Sequence, residues 1–318
     1  MATSGSYDFV MNRNEIIEEA YRTSQIYDQQ KSITAYHLKR GRIALNNMIQ
    51  TWSSMGIKLW NRRIGYLFPV YNQLTYTLGT TGDHATTSYV KTLINGAVSS
   101  GASSITVDST TGMTANDNIG VVLSDGTRQW TTISSVDTST ILTLADSLTG
   151  AVSDDALVIS YTSKLHAPLE IMSMRRVDIV SDTTIALELD QIRLDDMLGI
   201  SARNVGNYPS RYNYVKPQVS SGTLRIHPQP QDLNYILEFT YHDAVEIFSS
   251  ATDNPDFPPS WNECIIANLK VELARQAGQF TEIKEQYQPV ADKLLAIMMK
   301  NNTDEEPLRI IPDMEDDC

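Results

Sequence analysis

The spacing of apolar residues changes twice along this 318-residue chain, and that change limits the fold more than any other feature. Near both ends, apolar residues recur every three or four positions, which is typical of helices. In the middle of the chain they alternate in short runs, which is typical of strands. With 41% hydrophobic and 20% charged residues, the chain can bury a sizeable core. We therefore expect a folded protein of the α+β class.

Two helices are predicted at the N-terminal end. The first covers Arg13 to Tyr27, because Asn12 or Asn14 can cap it and Glu15 lies in its first turn, where the helix dipole favours a negative charge. The second runs from a cap at Ser32 to Met55. Gly41 lies within its apolar stripe and costs about 1 kcal/mol of helix propensity relative to Ala. We therefore expect another backbone to pack closely against Gly41.

Two further helices are predicted at the C-terminal end, as an antiparallel hairpin. The third begins at Trp261, after two prolines, and the fourth is capped by Thr281. Pro289 lies inside the fourth helix and predicts a kink, because proline lacks a backbone donor. Residues 301–318 are rich in carboxylates and contain two prolines, so they are predicted to be an extended, acidic tail.

The middle of the chain contains two β segments of different character. Residues 93–161 are rich in Thr, Ser, Gly and Val and contain no Glu, which predicts an inserted small all-β sandwich or barrel. Residues 169–248 form the second β segment. The predicted organisation is a core domain of residues 1–90 and 163–300, an inserted β domain of residues 91–162 and a tail of residues 301–318. The N- and C-terminal helices together are predicted to form a helical bundle core.

Composition disfavours several classes of function. There are 25 basic and 38 acidic side chains, a formal net charge of −13, which opposes tight binding to DNA phosphates. Two cysteines provide neither a disulfide framework nor a metal cluster. No apolar window approaches the length that spans a bilayer, and residues 1–7 lack the apolar region of a signal peptide, so no membrane association is expected.

The sequence contains no spacing that indicates catalysis, and we predict no catalytic residue, no metal and no cofactor. The five histidines are scattered, and neither a phosphate-binding loop nor a nucleophile elbow is present. The pairs Asp154–Asp155 and Asp195–Asp196 could bind calcium or act as acid and base. Solvated loops and helix caps are the more common role for such pairs. The chain is therefore not expected to be an enzyme.

The densest positive cluster has two interpretations. It comprises Lys39, Arg40, Arg42, Arg62 and Arg63. These side chains could contact DNA phosphates, or they could form a solvated face or ion pairs between subunits. The second interpretation is favoured, because Lys39 and Arg42 flank a buried stripe on a predicted helix.

Several motifs, taken in order, resemble the head-to-tail adaptor family of short-tailed bacteriophages, also called tail accessory or packaged-DNA stabilisation proteins. The first is the N-terminal helix, and the second is a pattern "LN-M---W---G--LW" over Leu45 to Trp60. The remaining motifs are Pro209, Tyr212, Leu224 to Pro230, Leu237 to Tyr241, Phe257, Pro258, Pro259 and Trp261. The segment from about Lys91 to Thr162 departs from the plainest pattern of the family.

The resemblance implies a structural virion protein without enzymatic activity. It would form a ring of usually twelve copies that docks beneath the portal, extends the DNA channel and takes part in genome packaging and ejection. DNA would pass through without specific binding. The resemblance also implies partners among tail nozzle or hub proteins and tail fibre or spike proteins, assembly in the host cytoplasm and a location at the head–tail junction. A portal-docking tail would present Leu308, Arg309, Ile310 and Ile311.

A second class of function remains open at this stage. The β insert could recognise or degrade a polysaccharide as part of a virion. The candidate residues for this function are Trp130 and the acidic residues Asp125, Asp154 and Asp155.

Overall fold

A computed structural model describes residues 9–24, 32–55, 61–179, 186–201, 205–216 and 221–301. The chain divides into two compact units. The helical unit comprises Met1–Asn61 and Val245–Cys318, and the β unit comprises Arg62–Ala244.

The helical unit contains the long helices. They are α1 (Arg13–Thr23), α2 (Ala35–Ser54), α4 (Asn262–Gln276), the single turn α5 (Phe280–Glu282), a π-helical turn (Ile283–Tyr287) and α6 (Gln288–Asn301). A 3₁₀ turn at Pro259–Trp261 precedes α4, and the short helix α3 (Leu194–Gly199) belongs to the β unit.

Three sheets build the β unit. The first has the order β11 (Ala186–Glu188), β10 (Glu170–Asp178), β15 (Tyr235–His242), β1 (Arg62–Leu67), β3 (Ala85–Thr86). The second has the order β12 (Asp190–Gln191), β13 (Arg211–Val215), β14 (Gly222–His227), β2 (Thr75–Leu78). The third has the order β4 (Val90–Leu93), β9 (Leu157–Tyr161), β6 (Asn118–Val122), β7 (Arg128–Val136), β8 (Ile141–Leu144), β5 (Ser104–Thr106). All pairings between these strands are antiparallel except that of β12 with β13.

The start of α1 follows from a capping box. The side chain of Asn12 accepts a hydrogen bond from the backbone N–H of Glu15 (3.1 Å), and Glu15 accepts one from the N–H of Asn12 (2.8 Å). The predicted start at Arg13 is therefore that of the structure. Helix α1 ends at Thr23, and residues 25–31 lie outside the described part of the chain. Helix α2 begins after Thr34, two residues later than the cap predicted at Ser32.

Aromatic residues from the two chain ends pack together in the helical unit. Trp52 of α2 lies 6.2 Å from Phe257 and 5.9 Å from Trp261, measured between ring centroids. Asn46 binds the backbone of Phe248 twice: its amide donates to the carbonyl (3.1 Å), and its oxygen accepts from the N–H (3.0 Å). Most of these residues belong to the motifs that carry the family resemblance. In this structure, the motif residues of the helical unit hold the two chain ends together.

The helix that was predicted to kink at Pro289 contains a π-helical turn. The turn Ile283–Tyr287 ends two residues before Pro289. Proline cannot donate to the carbonyl four residues earlier, and its ring collides with that carbonyl in a regular helix. A wider turn at this position relieves both problems.

Two apolar clusters in the β unit are each centred on particular sheets, and a third connects the insert with neighbouring strands. Residues 91–162 have their own cluster, which includes Ile119, Ile133 and Leu142. The connecting cluster combines Leu157, Ile159 and Tyr161 of β9 with residues outside this segment: Phe68, Val177, Ile179 and Ile236. Strand β9 is consequently buried at every residue.

The predicted fold class, α+β with a helical bundle core, is wrong. The protein is mostly β: its described residues contain three sheets, and only about 28% of these residues are helical. No strand was predicted within residues 62–90, which form β1, β2 and β3 and the start of β4. These strands have two to six residues each, and alternation over so few positions is a weak signal beside a twenty-residue helical stripe.

The predicted domain boundaries stay a prediction. The boundaries of the two compact units fall between residues 61 and 62 and between residues 244 and 245. Residues 91–162 lie within the β unit. Residues 302–318 of the predicted tail lie outside the described residues. None of the described helices is both long and apolar enough to cross a membrane.

Candidate assembly surface

Exposed apolar side chains on the helical unit form two stripes. Tyr36 and Ile43 of α2 are 63% and 47% exposed, and Val290 and Ile297 of α6 are 54% and 44% exposed. In each helix the two residues are seven positions apart, so two turns bring them to the same face. Isolated exposed apolar residues are ordinary, whereas aligned ones indicate a surface that binds a partner.

Helix α2 is apolar on two sides. Its buried face contributes Ala44, Leu45 and Ile49 to the core of the helical unit. Tyr36 and Ile43 lie off that face, where a helix packed on one side only would carry polar residues. Sequence reasoning followed the buried stripe and missed the exposed one. The available signal was the pair of apolar residues at positions 36 and 43 that did not belong to the main stripe.

Two of the predicted basic residues on α2 are exposed, as its apolar stripe is. Lys39 and Arg40 are exposed, and the guanidinium carbon of Arg40 lies 5.8 Å from the ring centroid of Tyr36. Arg42 is half-buried. Burial of Arg13 lowers the pKa of Arg13, and the positive charge of Arg42 lowers it further. Helix α2 contains no acidic residue. The surface is therefore both apolar and positively charged.

The other two predicted basic residues lie in the β unit. Arg62 and Arg63 begin strand β1, and both are exposed. The Nε atom of Arg63 lies 3.5 Å from a carboxylate oxygen of Asp243. The five residues predicted as one cluster are thus divided between the two units.

Two of the predicted acidic residues of the insert, Asp125 and Asp154, have structural roles. One carboxylate oxygen of Asp125 accepts hydrogen bonds from the backbone N–H of Thr127 (2.8 Å) and from its hydroxyl (2.6 Å), which lowers the pKa of Asp125. Asp154 accepts from the N–H groups of Gly96 (2.7 Å) and Asp155 (3.2 Å). These bonds are typical of carboxylates that stabilise loops.

Trp130 of the insert does not present an open face. The ring of His84 stacks on it at 3.8 Å between centroids with an interplanar angle of 3°, and the guanidinium of Arg128 lies 5.9 Å away. A sugar ring would need a free aromatic face. The structure thus places Trp130 in an internal aromatic cluster rather than in a binding platform with Asp125.

The remaining predicted pair, Asp195 and Asp196, lies in the first turn of α3, where carboxylates interact favourably with the helix dipole. Within the described residues, no group of three or more His, Cys, Asp or Glu side chains could hold a metal ion. The predicted docking residues Leu308, Arg309, Ile310 and Ile311 lie outside the described residues.

Comparison with known proteins adds no relative: neither models of protein families nor curated proteins match this chain. The exposed stripes of α2 and α6 therefore carry the functional argument.

Proposed function

We propose that this chain is a structural virion protein, the head-to-tail adaptor of a short-tailed bacteriophage. It forms a ring beneath the portal, extends the DNA channel and joins it to tail proteins. The observation that supports this proposal most is the pair of exposed apolar stripes on the helical unit. A single copy leaves both stripes in water, and neighbouring copies would cover them.

Two different stripes suit a ring better than a two-fold dimer. A closed ring is built from heterologous contacts, in which one patch of each subunit meets a different patch of the next. The stripe on α2 and the stripe on α6 provide two such patches. Burying one Ile, Val or Tyr side chain contributes about 1.5–3 kcal/mol, before the entropy of association is subtracted. Repetition around a ring multiplies this contribution.

The charge of the chain suits a channel. With a net charge of −13, the protein repels the DNA backbone on average and allows DNA to slide instead of being held. The exposed Lys39 and Arg40 then serve the subunit interface, where they meet carboxylates of the next copy. Specific nanomolar binding of DNA would be inconsistent with this role.

The stripes can be tested by self-association. Tyr36→Ser combined with Ile43→Ser should keep the fold, since both side chains are exposed, and should shift the protein from rings to monomers in analytical ultracentrifugation. A matched control is Tyr71→Ser with Val136→Ser, two similarly exposed residues of the β unit. If the α2 variant assembles as well as the control, the stripe does not form the ring.

Docking to the portal is assigned to the acidic C-terminal segment. Truncation after Lys300 should spare folding and ring formation and should weaken binding to a purified portal ring. Replacing Ile310 and Ile311 with Asp should have the same effect, because both remove the apolar side chains that dock. Unchanged portal affinity in both variants would reduce the segment to a solubilising tail.

The competing function, binding or degradation of a polysaccharide through the β insert, makes a different prediction. It requires turnover or binding that is lost on substitution of Asp154 or Asp155. The loop-stabilising bonds of Asp154 and the covered face of Trp130 do not favour it.

A further inference from the structure

A pocket of about 160 Å³ opens on the β unit, and none of its lining residues was predicted from the sequence as a site residue. It is lined by Arg176, Asp178, Tyr208, Asp232, Asn234 and Tyr235. These residues come from strand β10, from the loop before β13 and from the loop that leads into β15. The pocket thus combines an aromatic ring, a guanidinium, an amide and carboxylates in one small space.

The aromatic wall of the pocket is held in place. The hydroxyl of Tyr208 donates to a carboxylate oxygen of Asp232 (3.0 Å), and its ring meets the buried ring of Tyr235 edge-on, with 5.7 Å between centroids. The other carboxylate oxygen of Asp232 accepts the backbone N–H of Asn234 (2.9 Å). Although 44% of Tyr208 is exposed, the side chain is fixed at both its tip and its edge.

Arg176 provides hydrogen-bond donors in the pocket. Its guanidinium carbon lies 4.2 Å from the ring centroid of Tyr208, and the side chain is half-buried. The N–H groups of a guanidinium lie in its own plane. Packing of its face on an aromatic ring therefore leaves these N–H groups able to donate hydrogen bonds. In the described part of the chain, Arg176 stacks on aromatic rings but makes no hydrogen bond or ion pair. Its donors are available to a ligand.

We propose that this pocket binds one ring of a neutral saccharide. Sugar hydroxyls both donate and accept, so they can donate to Asp232 while accepting from Arg176 and Asn234. The apolar C–H face of a pyranose can pack on the exposed part of Tyr208. The volume is sufficient for one ring rather than for a longer buried chain.

The balance of charges argues against other ligands. A small anion would meet Asp178 and Asp232, whose charges raise the pKa of Tyr208 together with the hydrogen bond to Asp232. A cation would be repelled by the guanidinium of Arg176, which already occupies the face of the Tyr208 ring on which a cation would bind. An apolar ligand would remove these charged groups from water without offering them hydrogen bonds. This inference does not depend on the adaptor role.

The test uses the full chain and four uncharged probes: the methyl α-pyranosides of glucose, galactose and mannose, and N-acetylglucosamine. Saturation-transfer NMR should detect binding of at least one probe with a Kd of about 1 mM or tighter. Tyr208→Ala should raise that Kd at least tenfold, and Asp232→Asn should raise it severalfold. Tyr208→Phe, which keeps the ring and loses the hydroxyl, should have an intermediate effect.

The control variant is Tyr71→Ala, another exposed tyrosine of the β unit. It should leave the Kd unchanged, and thermal unfolding should show that all variants are folded. The proposal is overturned if no probe binds at about 10 mM. It is also overturned if Tyr208→Ala binds as well as the wild type, or if sodium acetate or methylammonium binds in place of the sugars.

Discussion

At the scale of single residues, Gly41 shows that the absence of a side chain can permit two helices to pack closely. The sequence predicted a close backbone neighbour, but the neighbour is a side chain: a Cβ added at Gly41 would overlap the Cγ2 methyl of Ile17. Ile17 is fully buried, and its branched side chain has few alternative rotamers. Glycine therefore lets α1 and α2 approach each other.

Gly41→Ala should destabilise the protein even though alanine favours helices. The propensity gain of about 1 kcal/mol is outweighed by overpacking, which typically costs about 1–3 kcal/mol. Gly199→Ala is the matched control, because a Cβ there would meet nothing within 4 Å. Urea unfolding should show a lower midpoint for the first variant only. Equal midpoints would mean that the helices can separate without cost.

His84 predicts a dependence of stability on pH. Burial, with added repulsion from Lys164 and Arg128, lowers the pKa of His84 to about 4. The ordinary value in an unfolded chain is about 6.5. As the pH falls below 6.5, the unfolded chain binds the proton first, so stability is lost progressively until the pH reaches about 4.

His84→Gln should reduce this acid sensitivity. The variant loses the stacking on Trp130, so it is less stable at pH 7.5. Its further loss of stability between pH 6.5 and 4 should be smaller than that of the wild type, because one titrating group is gone. Chemical unfolding at several pH values measures both. Parallel pH profiles for the two proteins would show that His84 does not control the loss.

At the scale of elements, the sequence predicts helices better than strands. The capping residues before α1 and the proline in the fourth helix each produced a structural consequence that elementary chemistry anticipates. Strand β9 reads as an apolar run without alternation, because both of its faces are buried. Which strands pair with it depends on contacts distant in sequence, such as that between β4 and β9. Local patterns carry no information about those contacts.

The connection of the insert with its surroundings can be measured by a double-mutant cycle. Phe68 lies outside the insert and Tyr161 inside it, and their rings stack at 5.7 Å between centroids. Phe68→Ala and Tyr161→Ala should each destabilise, and their coupling should amount to about 0.5–3 kcal/mol. Phe68→Ala with Leu142→Ala, which lies in the insert's own cluster, should be additive. No coupling in the first pair would favour an insert that folds independently.

At the scale of the whole molecule, the proposed function rests on helices that the sequence predicts, but mainly on residues that the sequence alone did not single out. Lys39 and Arg40 were predicted from charge alone. Tyr36 and Ile43 could have been noticed because they lie outside the main apolar stripe of α2, whereas the exposure of Val290 and Ile297 is known only from the structure. The pocket at Tyr208 could not be predicted, since its residues are separated by up to 59 positions from Arg176 to Tyr235. Sites of this kind depend on the fold, and the fold class was predicted wrongly.

The central claim is that this chain assembles as a ring on a portal, and native mass spectrometry of the full chain, alone and with a purified portal ring, tests it most directly. We predict closed oligomers whose abundance increases with protein concentration. With the portal present, we predict a complex in which a ring of adaptor copies, usually twelve in the family, is bound to one portal. A chain that stays monomeric at every concentration and does not associate with the portal would contradict it.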